Sequence, residues 1–397
     1  MKEITSGPRF KCPVSSKELQ RRRNAVQKAM KEQDIDCMVS QVHSSIFDGY
    51  IRYFIDVPTG TYSSTLLIPA DGDMIYVQHG NDDDNVPFPG WARGIEKVYG
   101  RAYCLPFNFS DHLSAEVVVK EIKARNYKRV GLVGLQLMSY STGSYLKDNL
   151  PGVEFVNFSD TVDEIKAIKS EEEWALIDRA VRVHEQLGDC VPALFRPGRM
   201  EYEIRADLEH LALELGCDYI GNLAVGSAPV GKPARFTTHF YGNRRIEPGD
   251  NLSVMIEVSG PGGQYGELSR TWCLAEPTES LKWLFDVSKK CQAYIAEKMV
   301  PGISARELND LFDEFVTQYG IPKNKRFFGH GQGYDMMERP AFSGRENMII
   351  KEDMFVAIHP EFMTETDFAC CCDNFRVTKN GAVRLTRTPQ EIIRVEI

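Results

Sequence analysis

The segment 328–340 carries the residues best suited to chemistry. It reads Phe-Gly-His-Gly-Gln-Gly-Tyr-Asp-Met-Met-Glu-Arg-Pro, so His330 lies among glycines at positions 329, 331 and 333. Glycines at alternate positions remove side chains and let backbone or a ligand approach the imidazole closely. Their spacing does not fit a dinucleotide-binding loop. A lone histidine is more often a core residue, but the flanking glycines favour a functional role for His330.

Two acids and two further histidines stand close to predicted strands. Glu257 and Glu267 bracket a Gly-rich loop, and a hairpin there would bring both carboxylates to one end of a sheet. His239 precedes the first of these strands, and His359 ends a later one. An imidazole titrates near neutral pH and neighbouring carboxylates tune it, so the set predicts general acid–base chemistry. The alternative for each acid is an exposed hairpin charge or an ion pair with an arginine.

A sequence repeat with an offset of 104 residues supplies the elements that position these groups. Residues 197–204 and 301–308 share the pattern Pro-Gly-x4-Glu-Ile/Leu, and each copy continues as an amphipathic helix. Each copy then offers a strand, residues 246–257 and 350–359. The duplication predicts a domain with internal two-fold symmetry. Glu257 and His359, at the ends of the matched strands, are expected to face each other across the axis.

The first 160 residues predict a separate α/β domain. Helices are expected over residues 16–33 and 117–124, and strands over 37–40, 64–69, 74–77 and 129–133. This alternation predicts a mixed sheet with helices packed on it. A polar segment at 159–173 marks the boundary, and Ser170 with Glu173 forms a capping-box pattern. We therefore divide the chain into domains 1–160 and 161–397.

Composition sets broad limits on the function. The 397 residues are 43% hydrophobic and 26% charged, as in ordinary globular proteins. A formal charge of -9 argues against nucleic-acid binding, and no apolar stretch is long enough for a membrane helix. The N-terminus has no apolar signal-peptide core, so the ten cysteines are expected to be reduced and mostly buried in a cytoplasmic protein.

Together these motifs resemble the creatinase/aminopeptidase P/methionine aminopeptidase (M24-like) superfamily. The resemblance covers most of the chain and rests on six segments: the Gly-His-Gly-x-Gly motif at 329–333, the two Pro-Gly pairs, and residues 165–174, 269–271 and 377–381. It implies an α+β protein: a pita-bread domain with an internal pseudo-two-fold repeat, preceded by a smaller α/β domain. It also implies a homodimer.

The resemblance also implies an altered metal site. Peptidases of the superfamily hold two divalent metals with two Asp, one His and two Glu. At the matching positions this chain has Glu257, Glu267, His330, His359 and Cys372. Losing the bridging carboxylates removes most of the anionic charge that two metals need. The chain is therefore more similar to the creatinase-like non-peptidase members, which imply no metal and no other cofactor.

The favoured hypothesis is a metal-independent, creatinase-like hydrolase or lyase. It would act on a small polar, cationic substrate, with cleavage of a C–N bond preferred. The expected catalytic residues are His239, His330, Glu257 and Glu267, and the expected substrate-binding residues are His359, Glu338, Cys372 and Asp373. One alternative is a metal-dependent, prolidase-like hydrolase with one softer ion such as zinc or iron. The other is a pseudoenzyme that binds a partner in the old cleft.

Overall fold

The computed structural model describes residues 11–43, 46–88, 90–236 and 242–396. Internal contacts divide the chain into two compact units, Met1–Lys166 and Ala167–Ile397. The predicted boundary after residue 160 lies inside a helix, Ser159–Ala167. Within the described ranges, every helix is too short or too polar to span a bilayer.

The first unit is a mixed β-sheet with helices packed on it, as predicted. Its strands are β1 (Cys37–Val42), β2 (Ser64–Pro69), β3 (Met74–His79), β4 (Ile95–Arg101), β5 (Arg129–Val133) and β6 (Glu154–Asn157). Its helices are α1 (Ser16–Glu32), α2 (Gly49–Ile55), α3 (Leu113–Arg125), α4 (Tyr140–Asn149) and α5 (Ser159–Ala167), with a 3-10 turn at Asn108–Ser110. The strand order is β4-β3-β2-β1-β5-β6, and β1 runs antiparallel to β2 but parallel to β5.

The second unit contains the sequence repeat and all four residues predicted to be catalytic, and for that prediction it is called the catalytic unit below. Its helices are α6 (Glu171–Leu194), α7 (Glu201–Glu214), α8 (Glu279–Lys298) and α9 (Ala305–Thr317). Its strands are β7 (Tyr219–Ala228), β8 (Asn251–Ser259), β9 (Leu268–Cys273), β10 (Gly329–Gly331), β11 (Glu338–Ala341), β12 (Phe355–Ile358), β13 (Glu361–Met363), β14 (Phe368–Cys370), β15 (Asp373–Thr378), β16 (Gly381–Arg384) and β17 (Ile393–Arg394). They form sheets in the orders β17-β9-β8-β7 and β11-β10-β12-β15-β16, and β13 pairs with β14.

The predicted repeat is present down to single hydrogen bonds. Gly198 N–H donates to the carbonyl of Ile246 at 2.8 Å, and Gly302 N–H donates to that of Ile350 at 2.9 Å. Both glycines have positive φ, 92° and 103°, which explains why each helix is preceded by Pro-Gly. The two copies place α7 and α9 at the same point relative to their sheets. This arrangement has the two related halves expected of a pita-bread domain.

Each half of the catalytic unit has its own apolar core between helices and sheet. In the first half, α6 and α7 pack on β7–β9, and in the second, α8 and α9 pack near β12 and β15. The Ser170–Glu173 capping box that begins α6 is confirmed, with both hydrogen bonds formed. The helix extends to Leu194, because Leu187 and Val191 continue its buried face.

The cysteines agree with the prediction of reduced and mostly buried thiols. All ten are free. Seven are buried: Cys37, Cys217, Cys273, Cys291, Cys370, Cys371 and Cys372. Burial raises the pKa of Cys291 and Cys371, as the apolar surroundings disfavour the thiolate.

Candidate active site

The β8–β9 hairpin carries two of the acids singled out in the sequence. Ile256 pairs with Leu268, and the same register places Glu257 opposite Glu267. Both side chains are buried, at 7% and 1% exposure. Asn222, on the neighbouring strand β7, donates from Nδ2 to Glu257 Oε2 at 2.5 Å. The hairpin therefore brings the two carboxylates to one end of the sheet, as its sequence predicts.

Two histidines reach Glu267 from the other half of the catalytic unit. His330 is the central residue of β10, and His359 directly follows β12. Their ring centroids are 5.2 Å apart. The Phe327 ring packs edge-on near both imidazoles, with centroid distances of 5.8 and 6.0 Å. The sequence led us to expect His359 to face Glu257. In the structure it lies beside Glu267 instead.

The tautomer of His330 directs one lone pair at Glu267. Its Nδ1 lies 2.9 Å from the carbonyl oxygen of Gly331, which can only accept, so Nδ1 carries the hydrogen. Nε2 lies 3.4 Å from Glu267 Oε2. In the neutral ring this nitrogen has no hydrogen to donate, so the contact needs a positive charge to become favourable. A proton on His330 or a metal cation would supply it.

Glu267, His330 and His359 form a candidate metal site. One ligand atom from each residue lies within 4.8 Å of the other two. Within the described part of the chain, Glu267 Oε2 and His359 Nε2 are buried and have no hydrogen-bond partner. A carboxylate with two imidazoles is a donor set that suits zinc or iron. The residues present therefore fit one metal ion.

The electrostatics of the cluster favour added positive charge. Burial raises the pKa of Glu257, and the negative charge of Glu267 raises it further. Burial by itself would also raise the pKa of Glu267. The nearby His359 and His330 outweigh burial and hold that pKa below its ordinary value. Burial lowers the pKa of His359 to about 4. For His330, burial lowers the pKa, but the nearby carboxylate of Glu267 outweighs burial and the pKa is raised.

Cys372 and Asp373 border the cluster in different ways. The Cys372 thiol is fully buried, and burial, together with the nearby charge of Glu267, raises its pKa well above the usual range. Asp373 has a separate partner, because its Oδ1 accepts from Arg270 Nη2 at 2.7 Å and both side chains are fully buried. Asp373 is therefore part of an internal ion pair and lies outside the three-residue cluster.

Glu338 is held by the loop that follows His330. It accepts from Lys169 Nζ at 3.0 Å and from the backbone N–H of Tyr334 at 3.1 Å. A Cβ at position 333 would overlap the Glu338 carboxylate, which explains the last glycine of the Gly-His-Gly-x-Gly motif. The structure thus gives Glu338 and Gly333 a common role in shaping this loop. The predicted substrate-binding role of Glu338 stays a prediction.

One predicted residue and several unpredicted ones remain. His239 lies outside the described residues. Glu361 was not predicted, although the 104-residue offset makes it the counterpart of Glu257; burial raises its pKa, and so does the charge of Glu267. Asn222 and Phe327 were also missed, since neither belongs to a recognisable motif. The repeat offset was the only signal that could have found Glu361.

His184 lies against the opposite face of the β8–β9 hairpin. Its Nδ1 donates to the Ala180 carbonyl at 2.7 Å, and its Nε2 accepts from Val258 N–H at 3.1 Å. Burial lowers its pKa to about 4, as it does for His359. Both nitrogens of His184 are occupied, so this histidine supports the hairpin.

Comparisons with protein families match nearly the whole chain. The model of metallopeptidase family M24 matches residues 175–388, more than half of the 397 residues. The model of the creatinase/prolidase N-terminal domain matches residues 22–168. The first match covers the cluster and the second covers the α/β unit.

Individual relatives agree with these matches. The chain is 25% identical over 356 residues to a Xaa-Pro dipeptidase of Pyrococcus furiosus, covering 86% of this chain and 95% of the relative. It is 23% identical over 283 residues to a probable dipeptidase of Mycobacterium tuberculosis, covering 67% and 74%. The solved X-Pro aminopeptidase from Thermotoga maritima superposes with a TM-score of 0.78 at 18% identity, covering 94% of this chain and 99% of that one. The likeness to that structure shows the fold, so the predicted pita-bread domain with its α/β N-terminal domain is confirmed.

The same comparisons correct the functional expectation. The creatinase-like, non-peptide C–N hydrolase or lyase is wrong, because the relatives are Xaa-Pro dipeptidases and other dipeptidases. The expected closeness to non-peptidase members is wrong for the same reason. Metal independence is also wrong, since the matched family is one of metallopeptidases. Although the residues at the ligand positions differ from those of the family peptidases, Glu267, His330 and His359 still bring ligand atoms within 4.8 Å of one another.

Proposed function

Because the chain belongs to metallopeptidase family M24, we propose that it is a metal-dependent peptidase that hydrolyses dipeptides at an altered site with one ion. One observation carries the proposal: Glu267, His330 and His359 direct buried ligand atoms to within 4.8 Å of one another. The dipeptidase relatives support the substrate class. The particular dipeptide is left to experiment.

The metal-ligand atoms that are available indicate a site for a single ion. Glu267, His330 and His359 would hold it. Glu257 is already engaged by Asn222, and burial keeps Cys372 a neutral thiol. When bound, the ion supplies Lewis acidity that polarises the scissile carbonyl.

The surrounding residues handle the proton and the orientation. Glu257 stands beside the cluster and, in its ionised form, takes a proton from the attacking water. It then delivers that proton to the leaving nitrogen as the C–N bond of the peptide breaks. Asn222 fixes the carboxyl group of Glu257, and Phe327 keeps bulk water away from the imidazoles. We retain the predicted catalytic role of His239 as part of this proposal.

Metal analysis together with a peptide screen tests the function. Protein purified without added metal is assayed for zinc, iron and manganese, then offered a panel of Xaa-Pro and other dipeptides. We expect one ion per chain and hydrolysis that stops on chelation and returns with added metal. Undiminished turnover after complete metal removal would contradict metal dependence. Absence of hydrolysis across the panel in metal-loaded protein would contradict the peptidase.

Two histidines give a matched pair of variants. His359 and His184 are both buried imidazoles whose pKa burial lowers to about 4. Only His359 has an unpartnered ring nitrogen in the cluster. We expect His359→Gln to lose the metal and the activity, while His184→Gln keeps the metal. Equal metal content in both variants would remove His359 from the site.

We also propose that the protein is a homodimer. The resemblance to the superfamily implies this assembly, and the match to the creatinase/prolidase N-terminal domain agrees with it. Light scattering on purified protein at several concentrations measures the mass directly. A mass near 45.0 kDa at every concentration would show a monomer instead.

A further inference from the structure

Asn374 connects Glu267 to the other half of the catalytic unit. Ser269 on β9 and Cys372, just before β15, form an antiparallel bridge, with N···O distances of 3.4 and 3.3 Å in the two directions. One step of two residues along this bridge places Glu267 opposite Asn374. The seam between the two halves therefore runs directly beneath the carboxylate of the candidate metal site.

At this position the side chain of Asn374 forms the two hydrogen bonds that a backbone amide group would otherwise form with Glu267. Glu267 N–H donates to Asn374 Oδ1 at 2.9 Å, and Asn374 Nδ2 donates to the Glu267 carbonyl at 2.7 Å. The backbone of Asn374 is engaged elsewhere: its N–H donates to Thr386 Oγ1 at 3.1 Å, and its carbonyl accepts from Leu385 N–H at 2.8 Å. Asn374 is fully buried.

The side-chain amide of Asn374 meets both demands. It offers an acceptor and a donor together, matched to the N–H and the carbonyl of one residue. Aspartate would place an acceptor against the Glu267 carbonyl and add negative charge beside the cluster. Alanine would leave both groups of Glu267 buried without these bonds. Asn374 thus holds both sides of the peptide backbone from which the Glu267 carboxylate projects.

We infer that Asn374 is a positioning residue, which fixes the main chain of Glu267 so that its carboxylate meets His330 and His359 at the metal. This inference rests on the proposed function. Outer partners of metal ligands typically change metal affinity by about 10–100-fold when they are lost. We expect a loss of that size for Asn374→Ala and a similar or larger loss for Asn374→Asp.

Two measurements on the full chain test the inference. Amide hydrogen exchange at Glu267 is followed in metal-free protein, and zinc affinity is then measured by titration calorimetry. Wild type, Asn374→Ala and Asn374→Asp are compared with Ser304→Ala, which removes the N-cap hydroxyl of α9 outside the cluster. We expect faster exchange and weaker zinc binding in the Asn374 variants only. If Asn374→Ala does not fold, the isosteric Asn374→Asp decides the outcome.

The outcomes separate the inference from the proposed function. Unchanged exchange at Glu267, or faster exchange with unchanged zinc affinity, overturns the role of Asn374 while leaving the metal site intact. Equal weakening of zinc binding in Ser304→Ala overturns it as well, since general loss of stability would then explain the effect. A wild-type protein that binds no zinc, iron or manganese overturns the proposed function and the inference built on it.

Discussion

Glu267 is a carboxylate kept charged in a place where burial opposes its charge. It is 1% exposed, and the neighbouring histidines hold its pKa below the ordinary value. Its partner across the hairpin, Glu257, has the opposite tendency, because burial and the charge on Glu267 raise its pKa. The environment thus divides two similar acids into an anion that attracts a cation and a group that can carry a proton.

Replacing Glu267 by glutamine tests the anionic ligand. Glu267→Gln keeps the size of the side chain but removes its charge, so we expect zinc affinity to fall by at least about 100-fold, the upper end of what outer partners cost. Glu201→Gln is the matched control, because Glu201 is a buried acid that accepts hydrogen bonds from Ser227. Titration calorimetry on both variants measures the difference. Similar affinities would exclude Glu267 as a ligand.

His184 predicts a pH dependence of stability. Its folded pKa is about 4, below its unfolded value, so its contribution is complete above pH 6.5 and is lost as the pH falls toward 4. When the pH falls from 7.5 to 5, we expect protonation of this residue to lower the free energy of unfolding by about 2 kcal/mol. Urea unfolding of wild type and His184→Gln at several pH values isolates the effect. Parallel pH profiles for the two proteins would refute it.

At the scale of elements, the loop after β10 is shaped by close packing. Gly333 leaves no space for a Cβ, because the Glu338 carboxylate lies directly beneath it. That carboxylate cannot move aside easily, since its ion pair with Lys169 is buried on both sides. The loop that begins at His330 is therefore anchored to the segment that precedes α6.

A pair of glycine variants tests this packing. Gly333→Ala forces the overlap with Glu338, so we expect a loss of about 2 kcal/mol in the free energy of unfolding, as for overpacked interiors. Gly344→Ala is the control, because its added Cβ meets only Asn309 at an ordinary 3.7 Å, and we expect a change within about 0.5 kcal/mol. Urea unfolding measures both. Equal stability of the two variants would show that Glu338 can shift at little cost.

Sequence patterns predicted the helices and strands. Part of the site could not be predicted, because it depends on contacts between residues that are far apart in the sequence. The capping box at Ser170, the Pro-Gly pairs and the 104-residue repeat depend on neighbours in sequence, so patterns found them. Asn374 acts on Glu267 across 107 residues, and no local pattern reports such a contact. Comparing ligands position by position also misled the functional hypothesis. It treated each substitution alone, whereas metal fit depends on which atoms converge.

At the scale of the whole catalytic unit, one buried ion pair joins the two repeated halves. Arg270 on β9 and Asp373 on β15 are both fully buried, with a distance of 2.7 Å. Arg270 also donates to the carbonyls of Pro389, Thr388 and Cys372. The guanidinium of Arg270, with its hydrogen-bond donors occupied, therefore also crosses the seam in which Asn374 lies.

Removing the charge of Asp373 tests the strength of this seam. Asp373→Asn leaves Arg270 buried without its counter-ion, and we expect a loss of at least about 3 kcal/mol in the free energy of unfolding. Asp353→Asn is the control, since the Arg376–Asp353 pair is 36% exposed on each side and should change stability by less than about 1 kcal/mol. Chemical denaturation compares them. Losses of equal size would show that burial of the Arg270 pair adds nothing.

The buried cysteines can report how often the folded structure around them opens. Because Cys273, Cys291 and Cys371 are enclosed and resist ionisation, a thiol-alkylating reagent should reach them only when the surrounding core opens. The rate at which each becomes labelled, read by mass spectrometry, then reports how often its part of the protein opens. Immediate labelling of all three in native protein would contradict their enclosure. No introduced probe is needed, since the sequence already distributes these reporters through both halves of the repeat.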